Sequence, residues 1–209
     1  MTPAARLGAG VLELGLELSQ ASQARLLDYL ALLEKWNKVH NLTSVREPEM
    51  MVSQHLLDSL AVLPALAARK TLLDVGSGGG LPGIPLALAR ADLAVTLLDS
   101  SHKKAAFLRQ VKAELGLANV DVVCERVEAW RPLNLFDAVV SRAFADLGEF
   151  AALAGHLVVP GGALLAMKGI YPYEELARLP ADFQLLEVLP LKVPQLAAER
   201  HLVILQKTA

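Results

Sequence analysis

The residues best equipped for chemistry lie between Leu72 and Gly83, where Leu72-Leu73-Asp74-Val75 runs straight into Gly76-Ser77-Gly78-Gly79-Gly80-Leu81-Pro82-Gly83. An apolar run entering a glycine run reads as a strand, a loop and the start of a helix. Gly76 and Gly78 permit a tight turn around Ser77, and Gly80 is expected to let the backbone approach a ligand. A carboxylate, Asp99, follows Gly76 by 23 residues, at the end of the next apolar stretch. In open α/β sheets that position accepts hydrogen bonds from ribose hydroxyls, so the pair predicts a nucleoside-cofactor site at the carboxyl ends of the strands.

The spacing also discriminates between cofactors. A dinucleotide site favours Gly-x-Gly-x-x-Gly, because a helix N-terminus must hold a pyrophosphate. Here the spacing is Gly-x-Gly-x-Gly, and Asp74 stands two residues before the first glycine. A carboxylate there is poorly placed for a diphosphate and suits a cofactor with a cationic amino group. S-adenosylmethionine has that group and no phosphate. Asp74, Gly76, Ser77, Gly78, Gly80 and Asp99 are therefore the predicted cofactor-binding set. A nicotinamide-dependent oxidoreductase would place the third glycine one position later and lack Asp74, and a non-catalytic RNA-binding module would not need the loop and acid together.

The elements that must position these residues follow from periodicity. From Thr71 onward, short apolar stretches at 72–75, 94–98, 120–124, 136–141 and 163–168 read as strands, with amphipathic helical segments between them such as 103–115 and 147–157. This alternation predicts an α/β fold with a mostly parallel sheet. Stretches 183–189 and 201–206 read as a sixth and a seventh strand, and with no long helix between them they are candidates for antiparallel pairing. Residues 19–66 read as helical: Ser19 is an N-cap, Leu26, Leu30 and Leu33 share a face, and 41–46 is a polar turn. Pro48 suits the first turn of a further helix carrying Met51, His55 and Leu56 towards Leu63. The chain thus divides into an N-terminal helical segment, 1–66, and a cofactor-binding unit, 67–209.

Composition bounds the function. Of 209 residues, 54% are hydrophobic, which excludes disorder. No apolar run approaches the ~18 residues of a membrane span. The stretch up to Leu18 is broken by Gly8, Gly10 and Gly15 and carries Glu13 and Glu17, unlike a signal peptide. Cys124 is the sole cysteine, so an internal disulfide and a cysteine cluster for zinc are excluded and a reducing cytoplasm fits. The net charge of −2 means that any RNA contact must come from a local basic patch or from docking on a larger particle.

Several strings go beyond a generic methyltransferase. DVGSGGGLPGIP at 74–85, QHLLDSL at 54–60, LLDS at 97–100, FLRQV at 107–111, SRAF at 141–144 and NKVHNLTS at 37–44 resemble the bacterial ribosomal RNA small-subunit methyltransferase G family, also called GidB. The likeness runs from about Leu33 to Gly169, and the LPGIP and SRAF strings are its specific parts. It implies a class I, Rossmann-like methyltransferase fold of seven strands with N-terminal helices packed beside it. It implies transfer of a methyl group from S-adenosylmethionine to N7 of a guanine in the 530 loop of 16S ribosomal RNA, naked or within the small subunit. It places cofactor contacts on Gly76, Leu81, Val127, Glu128 and Arg142. A monomer with no membrane partner is the expected state. The alternative is an S-adenosylmethionine-dependent enzyme acting on another RNA or on a small molecule.

N7 of a neutral guanine carries a lone pair and needs no general base, so none is nominated. Positioning can supply up to ~7–11 kcal/mol. An exocyclic-amine methyltransferase would show an Asn/Asp-Pro-Pro-aromatic string where this chain has Ser141-Arg142-Ala143-Phe144, and a cytosine-C5 enzyme would need a cysteine nucleophile. Cys124, inside an apolar strand, reads as a small buried hydrophobe. Arg142, at a strand end beside the cleft, is a positioning cation for the cofactor carboxylate or an RNA phosphate, with a structural ion pair as its other role. Phe144 is placed either to stack on guanine or to pack in the core, and Lys168 and Lys103 are candidate substrate contacts at the cleft edge. His55 and Asp58 read as a polar link between the N-terminal helices and the cofactor unit. Lys35, Lys38, His40 and Arg46, with Lys103, Lys104 and Arg109 across the cleft, outline an RNA-facing stripe.

Overall fold

The computed structural model describes residues 1–144 and 146–208. Seven strands form one sheet: β1 (Thr71–Val75), β2 (Ala94–Leu98), β3 (Val120–Val123), β4 (Phe136–Ser141), β5 (Val158–Lys168), β6 (Phe183–Pro190) and β7 (His201–Lys207). Their order is β3-β2-β1-β4-β5-β7-β6, with β1 to β5 parallel and β7 antiparallel to both β5 and β6. The direction of the strand order reverses between β1 and β4, and at such a switch point the loops part to leave a crevice beyond the carboxyl ends. The predicted α/β class, strand count and antiparallel last pair are all present.

Helices α1 (Pro3–Glu13), α2 (Gln20–His40), α3 (Pro48–Met51), α4 (Asp58–Leu60), α5 (Gly83–Ala89), α6 (His102–Glu114), α7 (Leu147–Ala154) and α8 (Tyr173–Leu176) surround the sheet. Ser19 caps α2 by accepting from the Ser22 amide at 3.0 Å, and Asn41 ends it in the left-handed region at φ 48°. Leu26, Leu30 and Leu33 are buried on one face of α2 as predicted. They join Leu7, Leu56 and Leu60 of the N-terminal segment to Leu72, Ile84, Leu97 and Phe107 in one core cluster. The next residue of β1, Leu73, faces the second core with Val139 and Phe150, as the period-two pleat requires. Each fully buried leucine contributes about 1.5–3 kcal/mol. Among the described residues no helix is long and apolar enough to cross a membrane.

The glycine-broken start folds as α1 within the expected helical segment, and Gly10 sits where that helix meets Leu57: a Cβ there would run into the Leu57 side chain. Three expectations need correction. The single helix expected from Pro48 is instead α3, a π-helical turn (Val52–Leu57), α4 and a 3-10 turn (Leu63–Leu66). No helix fills the connection between β3 and β4, where Pro132 breaks the pattern. β5 begins five residues before 163, because Pro160-Gly161-Gly162 form an irregularity within the strand: the register passes from Phe136 opposite Val158 to Ala138 opposite Ala163, and Gly161 takes φ 74°.

Candidate active site

The glycine loop is held from three sides. Gly76, Gly78 and Gly80 lie at φ 70°, 57° and 88°, a region open to glycine at little cost. The Gly76 and Ser77 amides donate to the Leu98 carbonyl at 2.8 and 3.1 Å, tying the loop to the end of β2. From above, α2 clamps it: the fully buried Tyr29 hydroxyl donates to the Gly79 carbonyl at 2.6 Å. Burial pushes the Tyr29 phenol up, so it remains a donor at neutral pH. Gly80 is also confined by packing. A Cβ there would meet Ile84 and Leu108, so its smallness serves packing of the loop on α5 and α6.

Asp99 closes the other side. Its Oδ2 accepts from the Gly78 amide and its Oδ1 from the Ser101 amide, both at 2.9 Å, and the Lys104 ammonium stands 3.6 Å away. Ser101 is also the N-cap of α6, so the carboxylate and the helix that carries Lys104 are set by one turn. Between this turn and the loop after β4 lies a cleft of about 240 Å³. Of the predicted residues it brings together Gly76, Asp99, Val127, Glu128 and Phe144. It adds Lys104 and Arg126, which had not been singled out as cofactor contacts. Glu128 pairs with Arg126 at 2.6 Å, and that hydrogen bond holds its carboxyl below the usual range. Ser77, Gly78, Gly80 and Leu81 shape the loop but do not line this cleft.

Asp74 sits beneath the loop, fully buried. One oxygen, Oδ2, accepts from the Gly83 amide at 2.9 Å, while Oδ1 has no partner among the described residues. Burial pushes its pKa up to about 7, against the Gly83 amide, the Arg142 charge and the Ser77 hydroxyl, which lower it.

Of the polar link expected from His55 and Asp58, Asp58 reaches the cofactor unit through Arg142 and Arg200, whereas His55 pairs within the N-terminal segment. Asp58 is 1% exposed and carries two guanidiniums: Arg142 Nη1 lies 3.4 Å from Oδ2 and Arg200 Nε lies 3.1 Å from Oδ1. The Arg142 contact is an ion pair without hydrogen-bond geometry, and Nη1 has no other partner among the described residues. Its side chain is 29% exposed and does not line the cleft, although its neighbours Ala143 and Phe144 do. His55 Nε2 pairs with the Thr43 hydroxyl at 2.9 Å. Burial lowers the His55 pKa to about 4, so the ring is neutral at pH 7.

Other predicted residues divide. Phe144 packs on Phe150, with ring centroids 5.0 Å apart, and also lines the cleft. Lys168 is largely buried and pairs with Glu175 at 2.7 Å, bracing the start of α7 through the same carboxylate, which accepts the Leu147 amide. Lys103 is exposed in the first turn of α6. The proposed stripe does not form one face. Lys38 pairs with Glu34, Lys104 turns to Asp99, and Arg109 borders a groove with Thr71 and Ala94 at the amino ends of β1 and β2. Cys124 also departs from expectation: β3 ends at Val123, and the thiol lies half-buried past the strand, 3.4 Å from His102 Nδ1.

Comparison with known proteins decides the family. The model of the GidB family, described as rRNA small subunit methyltransferase G, matches residues 22–203. The chain belongs to that family. A relative named ribosomal RNA small subunit methyltransferase G, from Aromatoleum aromaticum, is 60% identical over 208 residues, covering 98% of this chain and 99% of that protein. Its namesake from Nitrosospira multiformis is 55% identical and covers 99% of each. Among solved structures, the O-methyltransferase TomG from Streptomyces achromogenes, in complex with SAM, is 18% identical with a TM-score of 0.62 and full coverage of both chains. The N-methyltransferase NodS from Bradyrhizobium japonicum, in complex with S-adenosyl-L-homocysteine, is 10% identical with a TM-score of 0.60, covering 84% of this chain and 100% of that one. These likenesses show the class I methyltransferase fold.

Proposed function

We propose that this protein is an S-adenosylmethionine-dependent methyltransferase that modifies N7 of a guanine in the 530 loop of 16S ribosomal RNA. The observation that carries the reading is the 60% identity, over nearly the whole of both chains, to a ribosomal RNA small subunit methyltransferase G. The residues fit the cofactor. The cleft offers Asp99 and Glu128 as acceptors for hydroxyls, and the buried Asp74 keeps one oxygen without a donor, which suits a cationic amino group nearby. When bound, the cofactor supplies an electrophilic methyl group. In this reading Gly76, Ser77, Gly78, Gly80 and Leu81 shape its bed, while Asp99, Val127 and Glu128 hold its nucleoside end. Arg142, set by Asp58, offers its charge to a carboxylate or phosphate, and Phe144 bounds the place of the guanine. Lys103 faces the RNA, and Lys168 acts by fixing the Phe144 loop.

No residue has to remove a proton, because N7 attacks through a lone pair it already has. The chain's work is alignment and exclusion of water. The N-terminal helices of 1–66 and the unit 67–209 would act together as a cytoplasmic monomer. Calorimetry tests the cofactor class: S-adenosylmethionine should bind and NAD should not. Tight binding of NAD alone would overturn the reading. Methyl transfer to naked 16S RNA and to small subunits, measured side by side, distinguishes the two forms of substrate, and transfer to neither would reject the RNA assignment.

A further inference from the structure

The carboxyl-end face of the sheet carries a second concavity, which shares no lining residue with the cleft described above. It measures about 750 Å³ and lies where β5 ends and β7 begins. Because β7 runs antiparallel to β5, with His201 opposite Lys168, the start of β7 shares this face with the ends of β1 and β4. Ile170, Tyr171 and Tyr173 form one wall, and Glu199, Arg200 and His201 form the other. Ile170 and Tyr173 are each 76% exposed. The Tyr171 and Tyr173 rings lie 4.3 Å apart, and His201 meets Tyr171 edge-on at 5.6 Å.

The exposed Tyr173 ring, the half-buried Tyr171 and His201 rings beside it and the exposed Ile170 make a mixed aromatic and aliphatic surface, in which His201 Nδ1 is taken up by the Gly169 carbonyl at 3.3 Å. That surface matches an unpaired base, which stacks on aromatic side chains whatever its identity. The charge supports a base over a run of phosphates: Arg200 contributes one cation, but its Nε is held by Asp58 at 3.1 Å and its Nη1 by the Glu199 carbonyl at 2.8 Å, and the Glu199 carboxylate shares the wall. The volume falls within the ~300–1,000 Å³ of small-ligand pockets, enough for one nucleotide. The pocket is also joined to the active site, since the Asp58 carboxylate that holds Arg200 holds Arg142, whose loop supplies Ala143 and Phe144 to the cofactor cleft.

We infer that the pocket of Ile170, Tyr171, Tyr173 and His201 is a second RNA subsite, which stacks one unpaired base of the substrate strand flanking the nucleotide to be modified. The inference rests on the methyltransferase reading above. Its test uses the full chain with the paired substitution Tyr171→Ala and Tyr173→Ala, the separate variant Ile170→Asp, and Tyr173→Trp as the conservative control. Three quantities are measured: S-adenosylmethionine affinity by calorimetry, fluorescence anisotropy of a labelled single-stranded oligoadenylate, and steady-state methylation of naked 16S RNA and of small subunits. The paired variant and Ile170→Asp should bind oligoadenylate roughly tenfold or more weakly, Tyr173→Trp should bind it as the parent does, and cofactor affinity should stay within about twofold. KM for RNA should rise by a similar factor, with kcat within about threefold of the parent. Parental oligoadenylate binding by the paired variant would overturn the inference. So would a methylation defect confined to small subunits with naked RNA unaffected, since that would mark a contact with ribosomal protein. If the parent methylates neither RNA form while oligoadenylate binding still depends on the tyrosines, the methyltransferase reading falls and the base-stacking subsite stands.

Discussion

Replacing Asp74 with asparagine should turn a nearly flat response of stability to pH, between pH 4 and 6.5, into a rising one. Asp74 has a folded pKa of about 7 against an ordinary value of 3.8. The folded state therefore keeps a proton that the unfolded chain has released. Its contribution is fully present below 3.8 and is lost as pH rises to about 7, a total of about 4 kcal/mol. His55 works the other way in nearly the same window. Its folded pKa of about 4 lies below the ordinary 6.5, so stability rises by about 3 kcal/mol as pH climbs through that interval. In the parent the two slopes largely cancel up to pH 6.5, and only the upper end of the Asp74 titration remains. Asp74→Asn keeps an acceptor oxygen for the Gly83 amide and removes the acid. Urea unfolding of this variant at a series of pH values should show stability rising by about 3 kcal/mol between pH 4 and 6.5. His55→Gln, which keeps a polar partner for Thr43, should show the opposite, a fall of about 4 kcal/mol from pH 4 to 7. Other groups titrate alike in all three proteins, so the differences isolate the pair. Profiles for both variants that run parallel to the parent would refute a buried, protonated Asp74 under the glycine loop.

Three further substitutions address the site. Asp99→Ala leaves the Gly78 and Ser101 amides without their acceptor as well as removing a ribose partner, so calorimetric cofactor affinity should fall by about 1–3 kcal/mol, and affinity within twofold of the parent would count against the role. Gly78→Val forces a branched residue to φ 57° where no neighbour blocks the side chain, so the fold should survive while cofactor binding is lost; unchanged affinity in a folded variant would contradict the loop assignment. Arg142→Ala should lower methylation by about 1.5–3 kcal/mol in transition-state terms. A loss of cofactor affinity alone would place Arg142 on a carboxylate, a loss of RNA affinity with a shallower salt slope would place it on a phosphate, and full activity would remove it from the site.

The parts of the fold that depend on local pattern were legible in the sequence. β2 and β4 begin and end where their apolar runs do, and Ser19 and Pro48 mark helix starts because capping and φ restriction are short-range effects. Irregularity was harder to read. The Pro160-Gly161-Gly162 run looks like an interruption, yet the sheet absorbs it as a local slip in register. Gly10, which looks like a breaker in the first helix, is where that helix packs closely on Leu57. In the site, the glycine loop and Asp99 were visible because both lie at strand ends with fixed spacing. Tyr29 was not: its link to Gly79 spans 50 residues. Asp58 was read as a polar link, but its partner Arg200, 142 residues away, was not visible. Such contacts are set by how helices pack on the sheet, and no periodicity within one element encodes them. Lys104 had a local signal in retrospect, since the Ser101 cap fixes the first turn of α6 beside Asp99.

The central claim is tested most directly by locating the methyl group. Ribosomal RNA from cells lacking this protein should be treated with purified protein and S-adenosylmethionine, then with borohydride and aniline, which cleave at the positively charged 7-methylguanosine, and the break mapped by primer extension. The account predicts one new stop, at a guanine in the 530 loop of 16S RNA, present only when protein and cofactor are both added. A methyl group on any atom other than guanine N7, or a stop elsewhere in the RNA, would contradict it.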